Sequence, residues 1–257
     1  MQKVFLQDKA HWGVTEKGAP SFTGKDLKKF THPAAPFVAE YKDAKKNSEY
    51  FDNFLWFADK DDIIHPDFVS GGAWTGRFGS RSPNLQNLTK GVEEAGGDYV
   101  RSSLVPRYGY FFYSVDYTAV EYYLMYDYAS HLAGGPGPIA KKIIEGMDPH
   151  QATAEVLLGS GLKADRDLAK RVGFGLLYGQ GKDSLAASLS LPTEEAQRIK
   201  NTLLQADPTL ARFIQRVKYA AGSKSFIFNW LGRRYYFDGN TSYKAPNSLA
   251  QGGSGDI

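Results

Sequence analysis

Four side chains in the segment RDLAKRVGFGLLYGQG (residues 166–181) recur at intervals of four: Arg166, Lys170, Phe174 and Tyr178. On a helix each lies about 40° round from the last, so together they form one slanted stripe about 18 Å long. A core-facing stripe would be apolar, whereas this one pairs two cations with two aromatic rings. Gly173 and Gly175 flank Phe174. A mid-helix glycine costs on the order of 1 kcal/mol relative to alanine, so the pair predicts close approach of another molecule. A triphosphate held by Arg166 and Lys170, with its sugar and base against Phe174 and Tyr178, would account for every element of the stripe. The same spacing also describes a helix with a snorkelling basic edge.

A second chemical signal is Asp116, which follows the nearly unbroken aromatic and β-branched run YGYFFYSV (108–115). That run predicts a strand buried on both faces. An aspartate at its carboxyl end is either a helix cap or a metal ligand. Taken alone, Glu121 reads as a solvated helix glutamate and His150 as a structural histidine. The polar loop 71–88, which holds Arg77, Asn84, Gln86 and Asn87, reads as surface.

The elements that must position these groups follow from periodicity and breakers. A helix is predicted over 33–53 and another over 118–132, where Val120, Leu124, Tyr128 and Leu132 lie four apart before the stop Gly134-Gly135-Pro136. Asp148-Pro149 opens a further helix, with aspartate as cap and proline in the first turn. More helices are predicted over 164–177, from Pro192 and from Pro246. Residues 225–237 (SFIFNWLGRRYYF) predict a hairpin turning at Leu231-Gly232.

With 42% hydrophobic residues over 257 positions the chain can bury a sizeable core, and its lack of cysteine excludes disulfide scaffolds and thiolate metal sites. No stretch approaches the roughly 20 apolar residues of a membrane span, so no membrane partner is expected. Net charge is +3, but nine basic residues fall between Arg198 and Lys244, opposed there only by Asp207 and Asp238. A polyanion could lie along that tract, and a solvated basic helix face fits it equally.

The stripe spells RxxxKxxxFGxxYG and resembles the O-helix of family A (polymerase I-like) DNA polymerases. Other segments agree in order: TGRFGSRSPNLQNL (75–88), VDYTAVEYYL (115–124, similar to the family's motif A), DPHQATA (148–154), WLGRRYYF (230–237) and NSLAQGGSGDI (247–257). The resemblance implies an α+β fold, a right-hand polymerase palm built on an antiparallel sheet with helical fingers. Its expected parts are an N-terminal palm or thumb-edge segment (1–70), palm with motif A (71–132), fingers with the O-helix (133–224), and a return hairpin opening a palm helix (225–257).

The resemblance also implies roles. Asp116 and the backbone carbonyl of Tyr117 would hold the two magnesium ions of nucleotidyl transfer, with Asp116 and Lys170 as catalytic residues. Glu121 (the steric gate against ribose), His150, Arg166, Lys170, Phe174 and Tyr178 would bind the dNTP. Arg77, Asn84, Gln86, Asn87, Arg233, Arg234, Asn247 and Gln251 would contact primer–template DNA. Two departures stand out: Ala119 and Tyr123 replace the motif A glutamine and arginine, and motif C, the His-Asp-Glu turn with the second metal carboxylate, is missing along with most of the thumb. The expectation is therefore one subunit of a divided, cytoplasmic polymerase, in the host cytoplasm if viral. Partner chains would supply motif C, thumb and any exonuclease. An inert DNA-binding subunit and a single-subunit RNA polymerase are the alternatives; Asp116 and the intact stripe speak against the first, Glu121 and PNLQN against the second.

Overall fold

A computed structural model describes residues 1–14, 19–27, 29–88 and 99–257. Their contacts form two units, Met1–Val69 with Gly79–Tyr113, and Ser70–Phe78 with Ser114–Ile257.

In the first unit, Phe5, Leu27, Phe30 and Ala35 make a small aromatic core. Asp8 is buried beside it, and its carboxylate is satisfied by the Thr31 amide (2.7 Å), the Thr31 hydroxyl (2.8 Å) and the His32 amide (3.2 Å). The unit contains hairpin β1–β2 (Gly13–Val14, Pro20–Ser21), short helix α1 (Gly24–Leu27), helix α2 (Ala35–Phe57), hairpin β3–β4 (Asp67–Val69, Gly79–Arg81) and short helix α3 (Tyr99–Ser102). Helix α2 carries its proline in the first turn, where no amide hydrogen bond is lost.

The run 108–115 departs from expectation. It pairs with no strand among the described residues, and Tyr108, Tyr110, Phe111, Phe112, Tyr113 and Val115 are all exposed. A strand owes its stability to its ladder and covered faces, so strand-forming residues without a neighbour remain an irregular extended segment.

The second unit is mainly helical: α4 (Val120–Ala133), α5 (Pro138–Ile144), α6 (Pro149–Leu158), α7 (Lys163–Leu177), α8 (Lys182–Leu189), α9 (Thr193–Ala206), α10 (Pro208–Lys224) and α11 (Ala245–Gly255). An antiparallel hairpin, β5 (Phe226–Phe228) with β6 (Arg234–Tyr236), stands between α10 and α11. Small antiparallel sheets among helices give the α+β class. Tyr122, Met125 and Tyr126 of α4 share one core with Val172, Leu176 and Leu177 of α7 and Leu210 and Phe213 of α10. Gly134 ends α4 in the left-handed region (φ 76°), and the Asp148 carboxylate caps α6 through the His150 and Gln151 amides.

Periodicity did not mark the break between α9 and α10, which rests on Asp207-Pro208. The Asp207 side chain is buried and accepts from Leu210 N (2.9 Å), capping α10, while its other oxygen accepts from Ile139 N (3.2 Å) at the start of α5. One carboxylate thus joins two helix ends 68 residues apart in sequence. Replacing it by alanine orphans two amides. Asp207→Ala is expected to lower unfolding free energy by about 2 kcal/mol or more, read by urea denaturation, with Asp207→Asn costing less. Equal midpoints for Asp207→Ala and the unmodified chain would refute this double cap.

Candidate nucleotide-binding and catalytic site

Helix α7 presents the stripe. Its aromatic half is built on Tyr122 of α4, which is fully buried and whose hydroxyl donates to the Lys170 carbonyl (3.0 Å). The Phe174 ring meets Tyr122 edge-on (centroids 4.9 Å apart, 84°) and stacks on Tyr178 (5.7 Å, 10°). His150 of α6 packs edge-on against the same tyrosine (4.4 Å). A Cβ on Gly173 would overlap the Tyr122 hydroxyl, and one on Gly175 would press on Leu185 and Gln180. The approach that selects these glycines therefore comes from the chain itself, which corrects the expectation of another molecule there.

The cationic half is arranged by Asp148, which sequence reasoning saw only as a cap. Its carboxylate accepts from the His150 and Gln151 amides and also from Arg166 Nε (3.0 Å). Burial works to raise its pKa, but the Arg166 bond, the Gln151 amide and the nearby cations outweigh it and hold the group below its ordinary value. Nε of Arg166 is thus committed to Asp148, which orients the guanidinium. Lys170 is exposed and enters no ion pair among the described residues. Burial pushes the His150 imidazole below its ordinary pKa, and Lys170 and Arg166 add to the effect against Asp148, so the ring is neutral at pH 7. Its buried Nδ1 has no hydrogen-bond partner among the described residues.

Glu121, one residue before Tyr122 on α4, is brought to the tyrosine end of the stripe. One carboxylate oxygen accepts from Arg77 Nη2, the other from the Tyr178 hydroxyl (3.3 Å), and Gln251 of α11 donates to the same hydroxyl (3.4 Å). Partial burial and the Glu121 charge raise the Tyr178 pKa, keeping the phenol protonated as a donor. Four residues from four separate segments, Arg77, Glu121, Tyr178 and Gln251, thus converge.

The remaining predicted residues are placed differently. Arg233 is bound through Nε and Nη2 to Asp256, which also accepts from Asn229 (2.6 Å). The Arg233 bond first, then Asn229 and the cationic charge, keep the Asp256 pKa low against its burial. Arg234 lies among aromatic rings of the hairpin. Asn247 has a buried Oδ1 without a partner among the described residues. Asn84, Gln86 and Asn87 lie in the first unit, around a 3₁₀ turn where the Asn84 side chain accepts from the Gln86 amide (3.0 Å).

Asp116 is exposed and carries no hydrogen bond or ion pair among the described residues. Its chemistry suits magnesium, a hard cation that prefers oxygen ligands, but it offers a single carboxylate. No group of three or more His, Asp or Glu side chains close enough to hold a metal occurs among the described residues.

Part of the basic tract is also not a solvated face. Lys200 and Lys218 are half-buried, Lys200 donates to the Gln180 carbonyl (3.0 Å), and burial depresses both pKa values, with Lys200 lowering Lys218 further.

The geometry around Tyr122 makes a direct test possible. Gly173→Ala is expected to lower the thermal midpoint by several degrees through the clash with the hydroxyl. Adding Tyr122→Phe, which removes the clashing oxygen, should restore part of the loss, giving a non-additive double-mutant cycle of about 0.5–3 kcal/mol. Strict additivity would mean that the two groups do not touch.

The profile described as DNA polymerase family A matches residues 2–257. DNA polymerase I of Helicobacter pylori (strain J99) is 30% identical over 95% of this chain, and the thermostable DNA polymerase I of Thermus aquaticus 28% identical over 87%. The chain spans 28% and 27% of those proteins' lengths. Among solved structures, the POL domain of Pol1 from M. smegmatis, in complex with DNA primer-template and dNTP, matches 95% of this chain and 44% of its own at a TM-score of 0.73 and 25% identity. Set beside the Arg166–Lys170–Phe174–Tyr178 stripe and the Glu121 contacts, these matches lead to one conclusion: the chain belongs to DNA polymerase family A.

Proposed function

We propose that this chain binds dNTP and primer–template and carries out template-directed nucleotidyl transfer as one part of a divided polymerase. The observation that carries the reading is the convergence of Arg77, Glu121 and Tyr178 at the end of the Arg166–Lys170–Phe174–Tyr178 stripe. It joins a cationic half suited to phosphates to a stacked aromatic half closed by a carboxylate.

The roles follow from this chemistry. Arg166, oriented through Nε by Asp148, directs its terminal nitrogens toward the β- and γ-phosphates, and Lys170 adds an unpaired ammonium for the charge of the leaving pyrophosphate. His150, neutral and buried, offers a ring N–H to a phosphate oxygen. Phe174 and Tyr178 receive the sugar and base. Glu121, fixed by Arg77 and Tyr178, occupies the space a ribose 2′ hydroxyl would need, which selects deoxynucleotides. Asp116 and the Tyr117 carbonyl would hold magnesium, which when bound activates the primer 3′ hydroxyl and neutralises pyrophosphate charge.

One carboxylate is a poor cage for two octahedral ions. The exposed run 108–115, with strand-forming residues and no paired neighbour among the described residues, supports completion of the palm by a further strand and carboxylate from outside residues 1–257. Asp256 does not suit that task, because Arg233 and Asn229 already occupy it.

Two experiments test the reading. Glu121→Ala is expected to raise incorporation of ribonucleotide relative to deoxynucleotide by about 10-fold or more in the active assembly; an unchanged ratio would remove the gate assignment. The purified 257-residue chain should give negligible magnesium-dependent primer extension, gain it when a polypeptide carrying a His-Asp-Glu turn is added, and lose it by a factor of about 10²–10³ or more with Asp116→Ala. Robust extension by the chain alone would overturn the divided arrangement.

A further inference from the structure

Hairpin β5–β6 pairs Phe226 with Tyr236, Ile227 with Tyr235 and Phe228 with Arg234. Side chains alternate across a strand, so the buried Ile227 and Tyr235 define the inner face. The outer face therefore holds Phe226, Phe228, Arg234 and Tyr236. A hairpin packed on one side ordinarily turns polar residues to solvent. Here three aromatic rings are turned outward, with Phe228 48% and Tyr236 69% exposed.

The guanidinium of Arg234 lies among these rings, with Cζ 4.8 Å from the Phe226 centroid, 4.9 Å from Phe228 and 5.9 Å from Tyr236. Its Nη1 donates to the Tyr236 hydroxyl (3.3 Å), and no carboxylate pairs with it among the described residues. Phe226 and Phe228 meet edge-on at 5.5 Å. The result is a planar cation set among three aromatic rings, two of them exposed.

We infer that this outer face is a stacking platform for unpaired nucleobases of single-stranded DNA. The inference deepens the proposed function and rests on its claim that the chain binds DNA. Bases stack on aromatic and guanidinium planes regardless of sequence, while the phosphates between them need cations.

The charge around the platform favours a polyanion over a protein partner. Between Arg198 and Lys244 the acidic residues are Asp207 and Asp238. Asp207 is buried as a double helix cap, and the Asp238 carboxylate accepts from Thr241 (2.6 Å) and Asn240 (3.0 Å). Two residues before Phe226, Lys224 lines an open groove of about 470 Å³ with Arg216 and the exposed Tyr219, again cations interleaved with an aromatic.

The test is fluorescence anisotropy of the full 257-residue chain with a labelled oligothymidylate and, separately, a blunt duplex of the same length. Phe228→Ala/Tyr236→Ala is expected to weaken binding to the single strand by about 10-fold or more, leave duplex binding unchanged and barely alter the salt dependence. Arg234→Gln, which leaves the rings in place and guards against misfolding of the double variant, should weaken single-strand binding and reduce the slope of log K against log salt by about 0.7. Single-strand affinity untouched by both variants overturns the platform, while retained duplex binding leaves the polymerase reading standing. Loss of association with another protein at unchanged single-strand affinity would also overturn it, assigning the face to protein docking. If the unmodified chain binds neither DNA, the DNA-binding reading fails with it.

Discussion

The site depends on the docking of α4 against α7 through one side chain, Tyr122. Its ring is fully buried against His150, Phe174 and Tyr126, and its hydroxyl reaches the Lys170 carbonyl over the space left by Gly173. Packing at this density leaves little freedom to slide or rotate one helix on the other. Because Glu121 precedes Tyr122 on the same helix, the same contact fixes the distance from its carboxylate to the Tyr178 hydroxyl. Burial raises the Tyr122 pKa well above its ordinary value, so the hydroxyl remains a neutral donor throughout the physiological range.

Charge in the second unit follows a repeated rule in which one carboxylate orients one arginine. Asp148 takes Nε of Arg166, Glu121 takes Nη2 of Arg77, and Asp256 takes Nε and Nη2 of Arg233. Each pair is partly solvent-exposed, so its net contribution to stability is small, and its effect is chiefly to set direction. Lys170 and Arg234 follow another pattern. Neither pairs with a carboxylate among the described residues; Arg234 stands among aromatic rings and Lys170 lies one helical turn before Phe174, an arrangement suited to bases and phosphates. Within one basic tract, cations therefore serve three ends: ion pairing at Arg233, tolerated desolvation at Lys200 and Lys218, and exposure at Arg234.

The segment leading into Asp116 lacks a partner strand among the described residues. Strand-forming residues in 108–115 lead into Asp116 without a paired neighbour among the described residues, whereas α4, which follows, is firmly buried. A helix satisfies its backbone internally and needs only one covered face, while a strand needs a partner for every amide it would bond. This contrast explains why the helices of the second unit form fully while residues 108–115 stay irregular.

Much was legible in the sequence because it is written locally. Helix starts at Asp148-Pro149, the stop at Gly134 and the turn at Gly232 depend on backbone preferences of single residues, and the four-residue spacing of the α7 stripe survives any tertiary context. The α+β class and the helical course of the stripe followed. What only the tertiary structure decided are the meetings between distant segments: Arg77 with Glu121, Asp148 with Arg166, Arg233 with Asp256, and Asp207 bridging α5 and α10. The sequence correctly marked Gly173 and Gly175 as points of close approach but could not name the approaching atom. It also could not tell that the aromatic run before Asp116 would stay exposed, since periodicity reports what a segment can become, and burial depends on which other segment arrives to cover it.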